Sequence, residues 1–222
     1  MRTTAVGVAT PRTVLLPHKH RPPNTEATSF RNLRMVDWDA VFSYLGFPIF
    51  LKPAYGGGWK DVHKCDDPAG FFAAYDQSRD LTMMAQEAID FSEYYRCYVV
   101  GRERVHLMRY EPRNPHHQRY VLDAPPPEPA FEQRLRRDAL ALSTALGYDM
   151  NTVELAVRNG VPYAIDFTNP APDAELASVG AANFAWMVEN MSEVLVDLVR
   201  NPRPFELTGT WPELAKARSA AV

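Results

Sequence analysis

Two acidic residues, Glu154 and Asp166, lie in neighbouring segments of alternating character. In residues 151–157 the odd positions Val153, Leu155 and Val157 are apolar, while Thr152, Glu154 and Ala156 are polar or small. On the return segment Tyr163, Ile165 and Phe167 are apolar and alternate with Ala164, Asp166 and Thr168. A period of two marks strands with one buried face. If both apolar faces enter one core, the even residues share the other face, which requires paired positions to sum to an even number. A two-residue Asn159-Gly160 turn breaks that condition. The pattern therefore predicts a three-residue loop, Arg158-Asn159-Gly160, with Gly160 left-handed in a bulge, Val157 opposite Val161, and Glu154 beside Ala164 and diagonal to Asp166. Two carboxylates on one face repel, and a shared hard cation such as Mg²⁺ or Mn²⁺ relieves the repulsion. The following turn, Asn169-Pro170-Ala171-Pro172-Asp173, offers the amide oxygen of Asn169 to complete a coordination shell. The same alternation also fits an open sheet face with its charges in water.

A second set of residues could bind an anion. Ile49-Phe50-Leu51-Lys52-Pro53 is an apolar run with one cation near its end, followed by Gly56-Gly57-Gly58. Glycines let backbone amides approach an anion closely, so phosphate is the natural ligand. Neither GxxxxGK[ST] nor GxGxxG is present, and the pattern also fits a flexible hairpin tip beside a snorkelling lysine. Arg109, Arg113, His116, His117 and Arg119 form a candidate clamp for a phosphate or an acidic substrate, because guanidinium forks match such oxygens; the alternative is a solvated basic loop. No Ser/His/Asp or Cys/His constellation stands out, and Cys65 and Cys97 lack metal-site spacing.

These residues need elements to position them. Asp37 can cap a helix with apolar positions Trp38, Val41, Phe42 and Leu45 that stops at Gly46. Strands are predicted at 49–52, 61–65 and 81–86, with a helix opened by Asp66 or Asp67 and Pro68 before the last. A hairpin spans 94–100 and 104–109. A helix over 130–146 presents Leu135, Ala139, Leu142 and Leu146 on one face and ends at Gly147. After the carboxylate hairpin, Phe184, Met187, Val188, Met191, Leu195 and Leu198 mark a long amphipathic helix. The 222 residues are 46% hydrophobic and 23% charged, which is ordinary for a globular α+β chain and far from disorder. A net charge of −3 argues against a general nucleic-acid or polybasic membrane surface. No segment approaches the ~20 apolar residues of a membrane span, and the N-terminus lacks a signal-peptide core, so a cytoplasmic location is expected.

Taken in order, four segments resemble the ATP-grasp superfamily, in particular carboxylate-amine ligases such as glutathione synthetase and the ribosomal-protein glutamate ligases. GFPIFLKPAYGGG resembles the family's strand lysine and glycine-rich flap, and MMAQEAIDF the hinge strand that faces adenine. EYYRCYVVG resembles the strand carrying an arginine toward the phosphates, and TVELAVRNGVPYAIDFTNPAPD the metal-binding hairpin. Three departures stand out. Two residues rather than one separate Asp166 from Asn169, so Asn169 is out of phase unless the strand bulges or ends. The position two before Arg96, often acidic in the family, is Tyr94. The chain also starts about where the family's central subdomain does.

The resemblance implies an ATP-grasp α+β fold of two subdomains with nucleotide between them and no N-terminal subdomain, which a longer chain or a partner chain would supply. Residues 1–85 would be the central lid subdomain, 86–205 the C-terminal subdomain with the hairpin, and 206–222 a peripheral tail. Lys52 would contact the α-phosphate or adenine, and Gly56, Gly57 and Gly58 would cover the phosphates. Gln86, Glu87 and Ala88 would present backbone to adenine, with Glu87 or Asp90 on the ribose. Glu154, Asp166 and Asn169 would ligate Mg²⁺ or Mn²⁺, and Lys52, Arg96 and Arg109 would be the catalytic cations. The implied activity is an ADP-forming ligation of a small-molecule carboxylate to an amine through an acyl phosphate. A regulatory or degenerate ATP-binding module and an ATP-grasp small-molecule kinase are the alternatives.

Overall fold

The computed structural model describes residues 2–20, 23–30 and 35–203; the predicted peripheral tail lies outside them. The chain divides into two compact units, one of Met1–Arg2 and Pro11–Ile89, the other of Thr3–Thr10 and Asp90–Val222. Two short strands, β1 (Arg2–Thr3) and β2 (Ala9–Thr10), open the chain.

The first unit contains β3 (Thr13–Leu15), α1 (Trp38–Leu45), β4 (Ile49–Pro53), β5 (His63–Cys65), α2 (Pro68–Gln77) and β6 (Met83–Glu87). Its strands form an antiparallel sheet in the order β3-β6-β4-β5. Both helices start where a local signal places them. Asp37 accepts from the Ala40 N–H at 3.0 Å and Asp67 from the Gly70 N–H at 2.7 Å, each satisfying an otherwise orphaned first-turn donor. Ile49, Leu51, Met83 and Ala85 from the sheet bury themselves against Leu45, Phe71 and Tyr75 from the helices. Two boundaries differ from expectation. β5 begins at His63 because Asp61 has φ 57°, a left-handed conformation outside the extended range of a regular strand, and β6 begins two residues later than expected and ends one later, at Glu87.

The second unit contains β7 (Glu93–Val100), β8 (Arg104–Arg109), α3 (Pro129–Leu146), β9 (Met150–Arg158), β10 (Val161–Asn169), α4 (Leu176–Val179) and α5 (Ala181–Arg200). Its sheet runs β10-β9-β7-β8, antiparallel throughout. Tyr95, Cys97, Val99, Val153, Leu155 and Val157 form one sheet face, and Leu135, Ala139 and Leu142 of α3 pack with them. Gly147, at φ 74°, closes α3 by donating to the Ser143 and Thr144 carbonyls. Part of the opposite face, Tyr98, Val100 and Met108, packs against Met187 and Val194 of α5. The stripe that α5 turns to the sheet is Met187, Met191, Val194 and Leu198, whereas Val188 and Leu195, expected in the core, are 47% and 54% exposed. No described helix is long and apolar enough to cross a membrane.

Candidate functional site

The hairpin of β9 and β10 turns through two residues, not three. Val161 pairs with Arg158, and Asn159 and Gly160 have φ 53° and 71°. Positive φ at both central positions gives the turn a twist matching that of the strands, and Asn-Gly is suited to it. The expected three-residue loop is therefore overturned, and its consequences change with it. Ala164 pairs with Leu155 and joins the core, while Tyr163, expected inside, pairs with Ala156 on the other face.

The even-numbered carboxylates are nevertheless brought together, by a different device. Between Ala164 and Asp166 the register shifts, leaving Ile165 as an extra residue and placing Asp166 directly opposite Glu154 rather than diagonal to it. A second shift sets Asn169 opposite Thr152. Cross-strand partners share a face, as do residues two apart, so Thr152, Glu154, Asp166 and Asn169 share one. Asn151, fully buried, supports the second irregularity. Its Nδ2 donates to the Phe167 carbonyl at 3.0 Å and to Ser143 Oγ at 3.1 Å, and its Oδ1 accepts from the Asn169 N–H at 3.0 Å. A side-chain amide thus makes hydrogen bonds to backbone that the shifted ladder leaves behind.

Arg96 on β7 is the other register partner of Glu154. Its Nε lies 3.4 Å from Glu154 Oε1, its Nη1 donates to the Tyr120 hydroxyl at 2.5 Å, and its guanidinium sits 5.5 and 5.8 Å from the Tyr110 and Tyr120 ring centres. Burial works most strongly against the Arg96 charge, but the Glu154 carboxylate and the hydroxyls of Tyr120, Tyr110 and Tyr98 together outweigh it, and the pKa is raised. Tyr94 donates its hydroxyl to Glu154 Oε2 at 2.5 Å. Burial first, and then the Glu154 charge, push the Tyr94 phenol well above its ordinary value, so it stays a proton donor. Asp166 is exposed, with the Thr168 N–H 3.4 Å from its Oδ1.

Glu154, Asp166 and Asn169 offer only hard oxygen donors to a cation, the chemistry that suits Mg²⁺ or Mn²⁺. The Thr152 hydroxyl on the same face is buried without a hydrogen-bond partner in the structure, an orphan of the kind that water or a bound group satisfies. Among the described residues no cluster of three or more His, Cys, Asp or Glu could hold a metal ion. The donor set therefore rests on two carboxylates and an amide. Sequence reasoning did not single out Asn151, Tyr120 or Thr152; Tyr94 carried a signal as the departure from an acidic position.

In the first unit, Lys52 Nζ donates to Gln86 Oε1 at 3.0 Å, and Gln86 Nε2 in turn donates to Thr13 Oγ1 at 3.2 Å. This chain crosses β4, β6 and β3 and aligns Lys52 along the sheet. The Glu87 N–H donates to the Arg12 carbonyl and the Ala88 N–H to the Pro48 carbonyl, so both amides are engaged within the unit. Glu87 Oε2 accepts from Arg12 Nε at 2.9 Å. Gly56 and Gly58 have φ 132° and 67°, and a Cβ added at any of the three glycines meets no atom within 4 Å. The turn is open and depends on glycine for its backbone, not for close packing.

The remaining predicted cations do not join Arg96. Arg109 pairs with Tyr95, on the face that α3 covers; its Nη1 donates to the Tyr95 hydroxyl at 3.0 Å and forms an ion pair with Glu93. Arg113 forks onto Glu111 at 2.7 and 2.6 Å and lies 4.4 Å from the Phe91 ring centre. Arg119 donates to the Asn114 carbonyl at 3.2 Å, and His116 and His117 are exposed in a short 3-10 turn. Asp90 is exposed near Arg113.

No family model matches the chain. Over 78 residues it is 35% identical to D-alanine–D-alanine ligase B of Chromobacterium violaceum, covering 34% of this chain and 25% of that ligase. Its structure is similar to D-alanine–D-alanine ligase from Bacillus anthracis complexed with ATP, with TM-score 0.64 and 18% identity over 87% of this chain and 60% of that one. It is also similar to L-amino acid ligase from Bacillus licheniformis, with TM-score 0.55 and 16% identity over 86% and 44%. The chain thus spans about 60% or less of the length of the ligases it matches. The likeness to these structures is one of fold: the chain folds like the D-alanine–D-alanine and L-amino acid ligases over most of its length.

Proposed function

We propose that the protein takes part in an Mg-ATP-dependent, ADP-forming ligation of a carboxylate to an amine. The observation that carries this reading is the bulge that sets Asp166 opposite Glu154, with Asn169 on the same face. Glu154, Asp166 and Asn169 would hold the Mg²⁺, which supplies positive charge against the phosphate oxygens as charge develops there. In the first unit, the proposed lid, Lys52 and the amides of Gly56, Gly57 and Gly58 would bind phosphate oxygens. Arg96 pairs with Glu154 and adds positive charge to the same face. A substrate carboxylate would attack the γ-phosphorus and release ADP; an amine would then attack the acyl carbon of the acyl phosphate, expel inorganic phosphate and lose a proton. The work of the chain's own residues is positioning and charge neutralisation.

Amino acids are the first substrates to test, since the similar structures include D-alanine–D-alanine and L-amino acid ligases. ATP binding and ADP release are measured on one preparation, with hydroxylamine as a trap. ATP turnover that yields a hydroxamate supports ligation. Turnover without hydroxamate points to phosphoryl transfer to a hydroxyl, and Mg-dependent binding with no turnover points to a non-catalytic module. One observation favours that last reading: Arg109, one of the three expected catalytic cations, is committed to Glu93 on the α3 side of the sheet. A cytoplasmic location and small-molecule partners, with neither nucleic acid nor membrane, complete the proposal.

A further inference from the structure

We propose that Tyr94 is a positioning residue that orients Glu154 for cation binding, an inference that rests on the metal-binding reading of the hairpin. Glu154 is held chiefly through Oε2, which accepts the Tyr94 hydroxyl at 2.5 Å, while Arg96 Nε faces Oε1 in an ion pair at 3.4 Å without a hydrogen bond. The tyrosine is 5% exposed, and its ring is wedged between Phe91 and Tyr110, at 5.1 and 5.9 Å between centres. Its register partner on β9 is Ala156, two residues from Glu154, so the hydroxyl reaches the carboxylate along the sheet past a small side chain. An acidic residue at this position would set a third carboxylate beside Glu154; tyrosine supplies a donor instead.

A carboxylate fixed by the Tyr94 hydroxyl and paired with Arg96 has lost much of its rotamer freedom before a cation arrives, so binding bears less of that entropic cost. Asp166 is the contrast, exposed and contacted by the Thr168 N–H at 3.4 Å. Glu154 is thus the fixed member of the pair and Asp166 the member that adjusts. Groups that orient a metal ligand typically change metal affinity by roughly 10–100-fold when removed.

The test is the binding of Mn²⁺ in the presence of ATP, followed by electron paramagnetic resonance of the free ion, with thermal melting on the same samples. Tyr94→Phe should weaken Mn²⁺ binding about 10-fold, while Tyr110→Phe, which deletes a hydroxyl from the same aromatic group, should bind as the unaltered protein does. Wild-type affinity in Tyr94→Phe, or an equal loss in Tyr110→Phe, overturns the proposal and leaves the metal reading standing. Absence of Mn²⁺ binding by the unaltered protein overturns the metal reading itself and this inference with it. If Tyr94→Phe melts below the working temperature, Glu154→Asp is measured instead. Shortening the side chain withdraws the carboxylate from the hydroxyl and should weaken binding at least as much; unchanged affinity there also overturns the proposal.

Discussion

The carboxylate hairpin and the glycine turn represent opposite ways of presenting a binding group. Around Glu154, each partner is held by another: Arg96 and Tyr94 fix the carboxylate, Tyr120 receives Arg96, and Asn151 fixes the irregular strand beside Asn169. A Cβ at Gly56, Gly57 or Gly58 would meet nothing within 4 Å, and Lys52 on the preceding strand is aligned by its hydrogen bond to Gln86. The hairpin is pre-organised, so a ligand there spends little on ordering the protein. The turn instead offers unhindered backbone. Anchors and covers call for different sequences, buried polar networks in one case and unhindered backbone in the other.

The largest effect should come from the anchor. Glu154→Gln and Asp166→Asn are each expected to lower Mg-dependent ATP turnover by about 100-fold or more, beyond the loss seen for supporting groups, with melting temperatures close to that of the unaltered protein; full activity in both breaks the comparison. Next, Asn151→Leu keeps the branched shape but orphans the Asn169 N–H and the Phe167 carbonyl. It should cost about 2–4 kcal/mol in denaturant unfolding, since each buried unsatisfied group costs roughly 1–3 kcal/mol. In the glycine turn, Gly58→Ala meets no neighbour but is held at φ 67°. Stability should fall by only about 1 kcal/mol, while the KM for ATP rises and the Mn²⁺ affinity of the hairpin stays put.

The smallest effect is a pH dependence at the far end of the same sheet. Burial lowers the pKa of His106, which shares a hydrogen bond with Asn183 at 2.7 Å and stacks on Trp186 at 4.7 Å. The unfolded chain therefore binds a proton that the folded chain resists. Its contribution to stability is complete above the unfolded value of about 6.5, and declines as pH falls from there through the lowered folded value. Melting curves should show this slope, and His106→Gln should flatten it without altering Mn²⁺ binding.

Local signals carried much of the fold. Asp37, Asp67 and Gly147 are legible because a cap is decided by a few adjacent residues. α5 was legible as a helix, and Met187, Met191 and Leu198 of its expected stripe do face the sheet. Val194 completes that face, while Val188 and Leu195, at nearly the same spacing, turn to solvent, a choice that only the sheet makes. At the hairpin, the parity argument identified a real geometric need but placed the extra residue in the loop. Asn-Gly closes a two-residue turn so well that the correction falls at Ile165 instead. Asn151 was invisible for a different reason: in an alternating pattern a polar residue reads as outward, and nothing local announces that its amide will be buried to hold a strand two positions out of step.

The two register shifts in β10 act like a frameshift and its suppressor. Ahead of the first, Ala164 follows one phase; past the second, Asn169 has returned to it, and Asp166 occupies the short altered frame between. Were Ile165 paired in the original frame it would face Glu154, and Asp166 would fall opposite Val153, among the side chains that α3 covers. One extra residue, itself without chemistry, keeps that charge out of an apolar core and makes it an exposed carboxylate.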